Sequence, residues 1–275
     1  MQHVQHLAQD MDTQGFARLK NVLNDTDLEQ LRAFTDRQAS QHPGEYFACH
    51  GETALSESLL ASLWSTPEFK HLLGLLYEHG AHRQSISDQI FPVLRCVQGE
   101  QGLRESNCFH YDASLVTALI PIYIPTEGEE CGDLMLFPNL RNVRQHIALN
   151  IIEKSLLQNR LTRWAMRVAI RHEWLKPKVL KLQPGDIYLF WGYRTLHANQ
   201  ACGPGLKRAT AIFHFGDPHS GSRVTRLILD HTQQRAARVS AQTGISPPET
   251  DTAIANALNQ PSLHSDTQEH GGFDD

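Results

Sequence analysis

Two spacings of apolar residues divide the chain near residue 89. Before it they recur every three or four positions, as on helices: Leu28, Leu31 and Phe34 share one face, and further helical runs cover 56–64 and 67–79. Thr26 and Glu29 have capping-box spacing, Thr66 precedes Pro67 at a first helical position, and Gly80 offers a stop. A short strand is expected between Gly15 and Leu23. Residues 1–14 are polar enough to fray, and 44–53 reads as loop.

After residue 89 the pattern becomes that of strands. Residues 90–97 form one, 110–113 begin another, and 116–124 is a long β-rich run ending at Pro125. Gly132-Asp133-Leu134-Met135-Leu136-Phe137 has the same form as Gly185-Asp186-Ile187-Tyr188-Leu189-Phe190-Trp191. Two equivalent turns into strands are what a barrel of stacked hairpins requires. The final strand, 208–215, alternates. Ala209, Ala211, Phe213 and Phe215 point one way, and Arg208, Thr210, Ile212 and His214 point the other. The expected fold is mainly β with flanking helices.

Between the two turn-and-strand units the character changes. From Arg141 to Lys181 there are ten basic residues against Glu153 and Glu173, so the rest of the chain carries −13 of a net −5. Leu157, Leu161, Trp164, Ala165 and Val168 share one helical face, and Arg160, Arg163, Arg167 and Arg171 share the neighbouring one. A basic helical insert over 139–178 is therefore expected, its apolar stripe packed down; a solvated face is its plainest role and a lid the alternative. A last helix is expected over 222–242. Beyond 244 the chain is polar and acidic, which predicts a disordered tail over 244–275 after a single domain, 1–243.

Composition narrows the classes. A net charge of −5 argues against a general nucleic-acid binder. Five cysteines form no CxxC pair and no signal-peptide pattern opens the chain, so reduced thiols and a cytoplasmic location are expected. No apolar run approaches the ~20 residues of a membrane span. Sixteen histidines make accidental metal motifs common.

His110 and Asp112 fall on one side of a strand. About two matches to His-x-Asp/Glu are expected by chance, and three occur: His50–Glu52, His110–Asp112 and His264–Asp266. The first lies in a stretch read as irregular and the last in the acidic tail. Only His110–Asp112 leads into a long buried strand, with His197 lying 87 residues on and Arg208 another 11. Each residue alone has a bland reading: a core histidine, a turn cap, an arginine paired with some buried acid. Two histidines and one carboxylate together leave adjacent positions open on a metal, the arrangement of non-heme Fe(II) oxygenases. An arginine held inside a barrel needs an anionic partner, and the carboxylate of a cosubstrate would supply it.

With the Gly15-Phe16 strand, the following helix, His110-x-Asp112, the run Thr117-Ala118-Leu119-Ile120-Pro121-Ile122-Tyr123-Ile124-Pro125, Cys131-Gly132-Asp133-Leu134, the Gly185-Asp186 strand leading to His197, and Arg208 with Thr210, the chain resembles the Fe(II)- and 2-oxoglutarate-dependent dioxygenases. Among them it is most similar to the phytanoyl-CoA dioxygenase family. The resemblance implies a double-stranded β-helix (jelly roll) with Fe(II) held by His110, Asp112 and His197. It implies that Arg208 grips the distal carboxylate of 2-oxoglutarate with Thr210 bonding beside it, while alternation turns Lys207 outward. O2 would be consumed, succinate and CO2 released, and an unactivated C–H bond hydroxylated or desaturated. Related halogenases have a small residue where this chain has Asp112.

The family's frequent Gly-Ser-His turn is absent after Phe137-Pro138-Asn139, and the basic insert is long. The family's substrate is therefore not carried over. The insert instead suggests a small, anionic metabolite, a carrier-bound acyl group or a lipid, with peripheral membrane contact through the basic helix. Two readings from other classes stand beside this one: a cupin-like zinc hydrolase or isomerase, which leaves Arg208 unexplained, and a non-catalytic module docking through the basic helix.

Overall fold

Arg208–Phe215 is the strand on which the architecture turns, because its two faces bury different things. The alanine and phenylalanine face meets helices, and the Arg208, Thr210, Ile212, His214 face meets a second sheet. The computed structural model describes residues 2–99, 106–127, 131–143, 159–203 and 205–218, with the side chains of Arg160 and Arg163 left aside. Leu157, Glu153, the expected helix over 222–242 and the tail over 244–275 lie outside the described residues.

The described strands are β1 (Ala17–Leu19), β2 (Phe47–His50), β3 (Ile90–Val97), β4 (Val116–Tyr123), β5 (Leu134–Phe137), β6 (Lys178–Leu180), β7 (Ile187–Trp191), β8 (Leu196–Asn199) and β9 (Arg208–Phe215). Six of them make one sheet in the order β1-β7-β4-β9-β3-β2, and three make a smaller one, β6-β5-β8. Every pairing is antiparallel. The two similar turn-and-strand units fall one in each sheet, as β5 and β7. Each is entered through a glycine in the left-handed region, Gly132 at φ +71° and Gly185 at φ +89°.

Helices α1 (Gln2–Thr13), α2 (Asp25–Ser40), α3 (Gly51–Leu55), α4 (Leu60–Ser65) and α5 (Pro67–Ala81) contribute to a core with the outer face of the large sheet. Leu28, Leu31 and Phe34 of α2 and Leu73, Leu76 and Tyr77 of α5 join Ala209, Ala211, Phe213 and Phe215 in this core. Between the sheets lies a second cluster: Leu119, Leu134, Leu136, Leu180, Leu182, Tyr188 and Phe190. No helix among the described residues is long and apolar enough to cross a membrane.

Several expectations are corrected. Residues 2–13 are a helix, with Leu7, Ala8 and Met11 buried. Burial of that narrow stripe overrides a polar composition. Helix α2 begins at Asp25 rather than after Thr26, because the Asn24 side chain accepts from the Asp27 amide at 2.9 Å and caps it. The stretch read as loop, 44–53, contains β2 and the start of α3, and of the helix expected over 56–64 only the part from Leu60 on is helical, as α4. Helix α5 passes Gly80 and ends at His82 in the left-handed conformation. Gly80 serves packing instead: a β-carbon there would stand 2.8 Å from the Trp191 ring.

Within the insert, α6 (Arg160–Arg171) forms as its period suggested, but a different stripe packs. Met166 and Ile170 meet Phe109, Met135, Leu196 and Ala198 on the outer face of the small sheet. Leu161 and Trp164, expected to be packed down, are 73% and 60% exposed. The helix carries apolar residues on two opposite faces, and only its neighbours decide which of them is covered.

Candidate active site

The inward faces of the two sheets bring the chemistry-bearing residues together. His110 forms an isolated antiparallel bridge with His197 on β8: the His110 amide donates to the His197 carbonyl at 2.9 Å, and the His197 amide returns the bond at 3.0 Å. Directly opposed residues project to the same side, so the two imidazoles lie with ring centroids 4.4 Å apart. The Nδ1 atoms sit 2.9 Å from the Cys108 carbonyl and 3.0 Å from the Thr195 carbonyl. A carbonyl oxygen only accepts, so each Nδ1 carries a proton, which leaves Nε2 as the nitrogen that can offer a lone pair to a metal. Those Nε2 atoms stand 3.7 Å (His110) and 3.5 Å (His197) from Asp112 Oδ1.

Asp112 is fixed from behind. Its amide donates to the Gly192 carbonyl at 3.0 Å, and its Oδ2 accepts from Thr117 Oγ1 at 2.5 Å. His214 Nδ1 lies 3.7 Å from that Oδ2 and 3.1 Å from Ser114 Oγ. One oxygen is thus committed to the protein and the other faces the imidazoles. Burial alone would raise the Asp112 pKa, but His197, His214 and His110 hold the carboxyl well below the usual range. Desolvation, with the His197 imidazole adding to it, pushes His110 down to about 4. Desolvation also acts to lower His197, but the Asp112 carboxylate overrides it and raises that group. His110 is the accessible member: its side chain is 41% exposed, against 7% for Asp112 and 8% for His197.

Ligand atoms from His110, Asp112 and His197 all lie within 4.8 Å of one another, and they form the single such group of three among the described residues. Two neutral imidazole nitrogens with set tautomers and one ionised carboxylate oxygen suit a divalent transition metal. His50, from the competing His50–Glu52 motif, lies on β2 rather than in irregular chain and stacks at 6.4 Å on Phe91. It does not join the group. The His264–Asp266 match lies outside the described residues.

Arg208, at the start of β9, is 2% exposed. Its Nε donates to the Gly132 carbonyl at 2.5 Å and its Nη1 to Thr210 Oγ1 at 3.4 Å. Among the described residues no carboxylate stands within ion-pair distance of it; Asp133 acts only at longer range. Burial, with the charge of Arg95 behind it, pushes Arg208 down to about 10, which leaves it cationic at neutral pH. Lys207 turns outward as alternation requires, meeting Asp36 of α2 at 2.5 Å and the Tyr123 ring at 4.2 Å.

Four residues of this region were missed or undervalued in the sequence. Gly192 has no room for a side chain, since a β-carbon would overlap Asp112 Oδ2 and Thr117 Oγ1. Gly132, read only as a turn, leaves space for Arg208, whose Cδ would be 2.5 Å from a β-carbon. Arg95 pairs across from Thr210 and so shares the inward face with Arg208; a lone arginine inside the apolar run 90–97 was the available signal. Arg141 is sandwiched between Tyr111 at 3.9 Å and Tyr193 at 4.0 Å, with its Nε donating to the Tyr193 carbonyl at 2.5 Å. That guanidinium joins the segment carrying His110 and Asp112 to the turn before His197.

No protein-family model matches the sequence, and no curated protein matches it. Solved structures do. The non-heme alpha ketoglutarate dependent carbocyclase SnoK from nogalamycin biosynthesis is similar over 76% of this chain and 82% of its own, with 18% identity and a TM-score of 0.50. A prolyl 4-hydroxylase structure from Phytophthora capsici is similar over 79% of this chain and 64% of its own, with 14% identity and a TM-score of 0.50. At such identities a likeness speaks to architecture, and with the two facing antiparallel sheets it establishes the fold as a double-stranded β-helix flanked by helices.

Proposed function

We propose that this chain is an Fe(II)- and 2-oxoglutarate-dependent dioxygenase. It hydroxylates or desaturates an unactivated C–H bond of a small anionic metabolite, acyl or lipid substrate, releasing succinate and CO2. The observation that carries the reading is Arg208. It is a buried cation bonded only to a carbonyl and a hydroxyl among the described residues, on the side of β9 that also carries His214, which lies 3.7 Å from Asp112 of the convergent His-Asp-His group. A buried guanidinium without a carboxylate is costly, and a dicarboxylate entering between the sheets removes that cost. A zinc hydrolase would leave it unexplained. SnoK, an alpha ketoglutarate dependent carbocyclase, and the Phytophthora prolyl 4-hydroxylase agree with this class.

In this reading His110 Nε2, His197 Nε2 and Asp112 Oδ1 hold the iron, Arg208 takes the distal carboxylate of 2-oxoglutarate, and the Thr210 hydroxyl bonds beside it. Bound Fe(II) with 2-oxoglutarate and O2 supplies oxidative decarboxylation and, from it, the power to oxidise a C–H bond. The protein's own part is placement and exclusion. The Cys108 and Thr195 carbonyls keep both imidazoles turned with Nε2 inward. Thr117 occupies the oxygen of Asp112 that is turned away from the imidazoles. Phe190 packs at 5.0 Å against His197, in an apolar cluster with Leu119, Leu136 and Tyr188, and limits water near the reacting atoms.

The anionic substrate rests on the insert at 139–178 of a single domain, 1–243. Arg167 and Arg171 are exposed on α6 beside exposed Leu161 and Trp164, and Trp174 follows at 75% exposure. A basic helix with an uncovered apolar stripe suits an anionic acyl or lipid substrate and peripheral contact with an anionic bilayer from the cytoplasm. The motifs set out above also favour kinship with the phytanoyl-CoA dioxygenases. The deciding measurement is anaerobic: protein loaded with Fe(II) should develop a weak visible charge-transfer band on adding 2-oxoglutarate. Absence of both that band and succinate formation in air would overturn the reading.

A further inference from the structure

The sequence offers five cysteines with no paired motif, but the fold sets Cys131 and Cys202 opposite one another. They form an isolated antiparallel bridge where the chain enters β5 and leaves β8. The adjacent backbone bond runs from the Gly132 amide to the Ala201 carbonyl at 3.0 Å, which makes the two cysteines the non-hydrogen-bonded pair of that ladder. Residues in such a pair have Cα atoms roughly 4.5 Å apart and side chains on one side. Disulfides span Cα separations of about 4.4–6.8 Å, so a bond between these two needs little backbone movement.

The surroundings favour this pair. Cys131 is half-buried, while Cys202 is buried and near enough to Arg208 for the two groups to influence each other electrostatically. Cys131 is the more accessible member, whereas Cys96 is buried and pushed up by burial to about 12.

We propose that Cys131 and Cys202 are a reversible oxidation site, closing to a disulfide when the protein meets a hydroperoxide. One thiolate attacks the peroxide oxygen, giving a sulfenic acid and releasing the alcohol or water. The second thiol attacks that sulfur, its proton leaving with the hydroxyl as water. Two thiols and one hydroperoxide thus yield one disulfide, one alcohol (or water) and one water. The bond closes a loop of about 70 residues, which restricts the unfolded chain and stabilises the fold. It also ties both neighbours of the Gly132–Ala201 backbone bond, next to the carbonyl that holds Arg208 Nε. This inference does not depend on the assigned catalytic activity.

The test uses the full-length protein, reduced, exposed to hydrogen peroxide under native conditions, blocked with N-ethylmaleimide and mapped by mass spectrometry. The expected result is one linked peptide pair, Cys131–Cys202, reversed by dithiothreitol. The oxidised protein should melt several degrees above the reduced one. Cys131→Ser and Cys202→Ser should each melt like the reduced wild type and show no oxidative rise. Links scattered among all five cysteines, a link formed only in denaturant, or a melting rise that persists in either serine variant would overturn the proposal.

Discussion

Gly192 and Asp112 are fitted to each other: the Gly192 carbonyl accepts the Asp112 amide at 3.0 Å, and any β-carbon at 192 would overlap the carboxylate. Gly192→Ala should therefore displace Asp112 and Thr117 while leaving both sheets paired. We expect 2-oxoglutarate turnover to fall on the order of 100-fold, the usual cost of misplacing a reacting group by about an ångström, with an unchanged circular dichroism spectrum. Wild-type turnover by this variant would show that the Asp112 position is not needed.

The metal reading makes a graded prediction. His110→Ala and His197→Ala should each abolish Fe(II) binding without unfolding the domain. Thr117→Val, which removes the donor to Asp112 Oδ2, should weaken it about 10–100-fold, and Thr117→Ser should restore it. Calorimetric titration with Fe(II) under argon distinguishes these cases. Undiminished binding by either alanine variant would remove the assignment.

Arg208 and its neighbour Lys207 form an internal control. Arg208→Ala should raise the 2-oxoglutarate requirement by about 2–5 kcal/mol, at least 30-fold in KM. Lys207→Ala loses the partly exposed pair with Asp36 and the contact with the Tyr123 ring and should cost about 0–1 kcal/mol of stability with no change in KM. Equal effects on KM would mean the strand register is displaced by one residue.

Asp12 joins α1 to the core by accepting from Trp191 Nε1 at 2.9 Å and pairing with Arg194 at 3.1 Å and His79 at 2.9 Å. Burial alone would raise its pKa, yet the His79 and Trp191 hydrogen bonds and the Arg194 charge bring it below 3.8. A folded-state pKa below the unfolded one contributes stability above the unfolded value and loses it as pH falls through the folded value. Asp12→Asn should therefore cost about 1 kcal/mol at pH 7, allowing for its partial exposure. The gap from wild type should close below the ordinary carboxylate range. Thermal melts carried from pH 7 to about pH 2 measure this, and a gap constant with pH would contradict it.

For the insert, Arg167→Glu with Arg171→Glu should leave substrate-free 2-oxoglutarate turnover unchanged. The same double variant should lower coupled oxidation of anionic substrates several-fold and abolish its salt dependence. Coupled rates equal to wild type at low salt would make the helix a solvated face.

Periodicity by itself determined the strands over 90–97 and 208–215 and the outward turn of Lys207. These depend on spacing along an extended backbone, which each strand carries locally. The expected strand over 110–113 is only an isolated bridge at His110, and Asp112 lies outside any strand. Tertiary structure decided the rest, because those features belong to pairs of distant segments. Helix α1 exists because a core is there to receive Leu7, Ala8 and Met11. Strand β2 forms because β3 offers an edge to a stretch whose own pattern is weak. Met166 and Ile170, rather than Leu161 and Trp164, are covered because the outer face of the small sheet lies on their side. The missing side chain of Gly192 and the opposition of Cys131 to Cys202 acquire meaning only once residues tens of positions apart share a few ångströms of space.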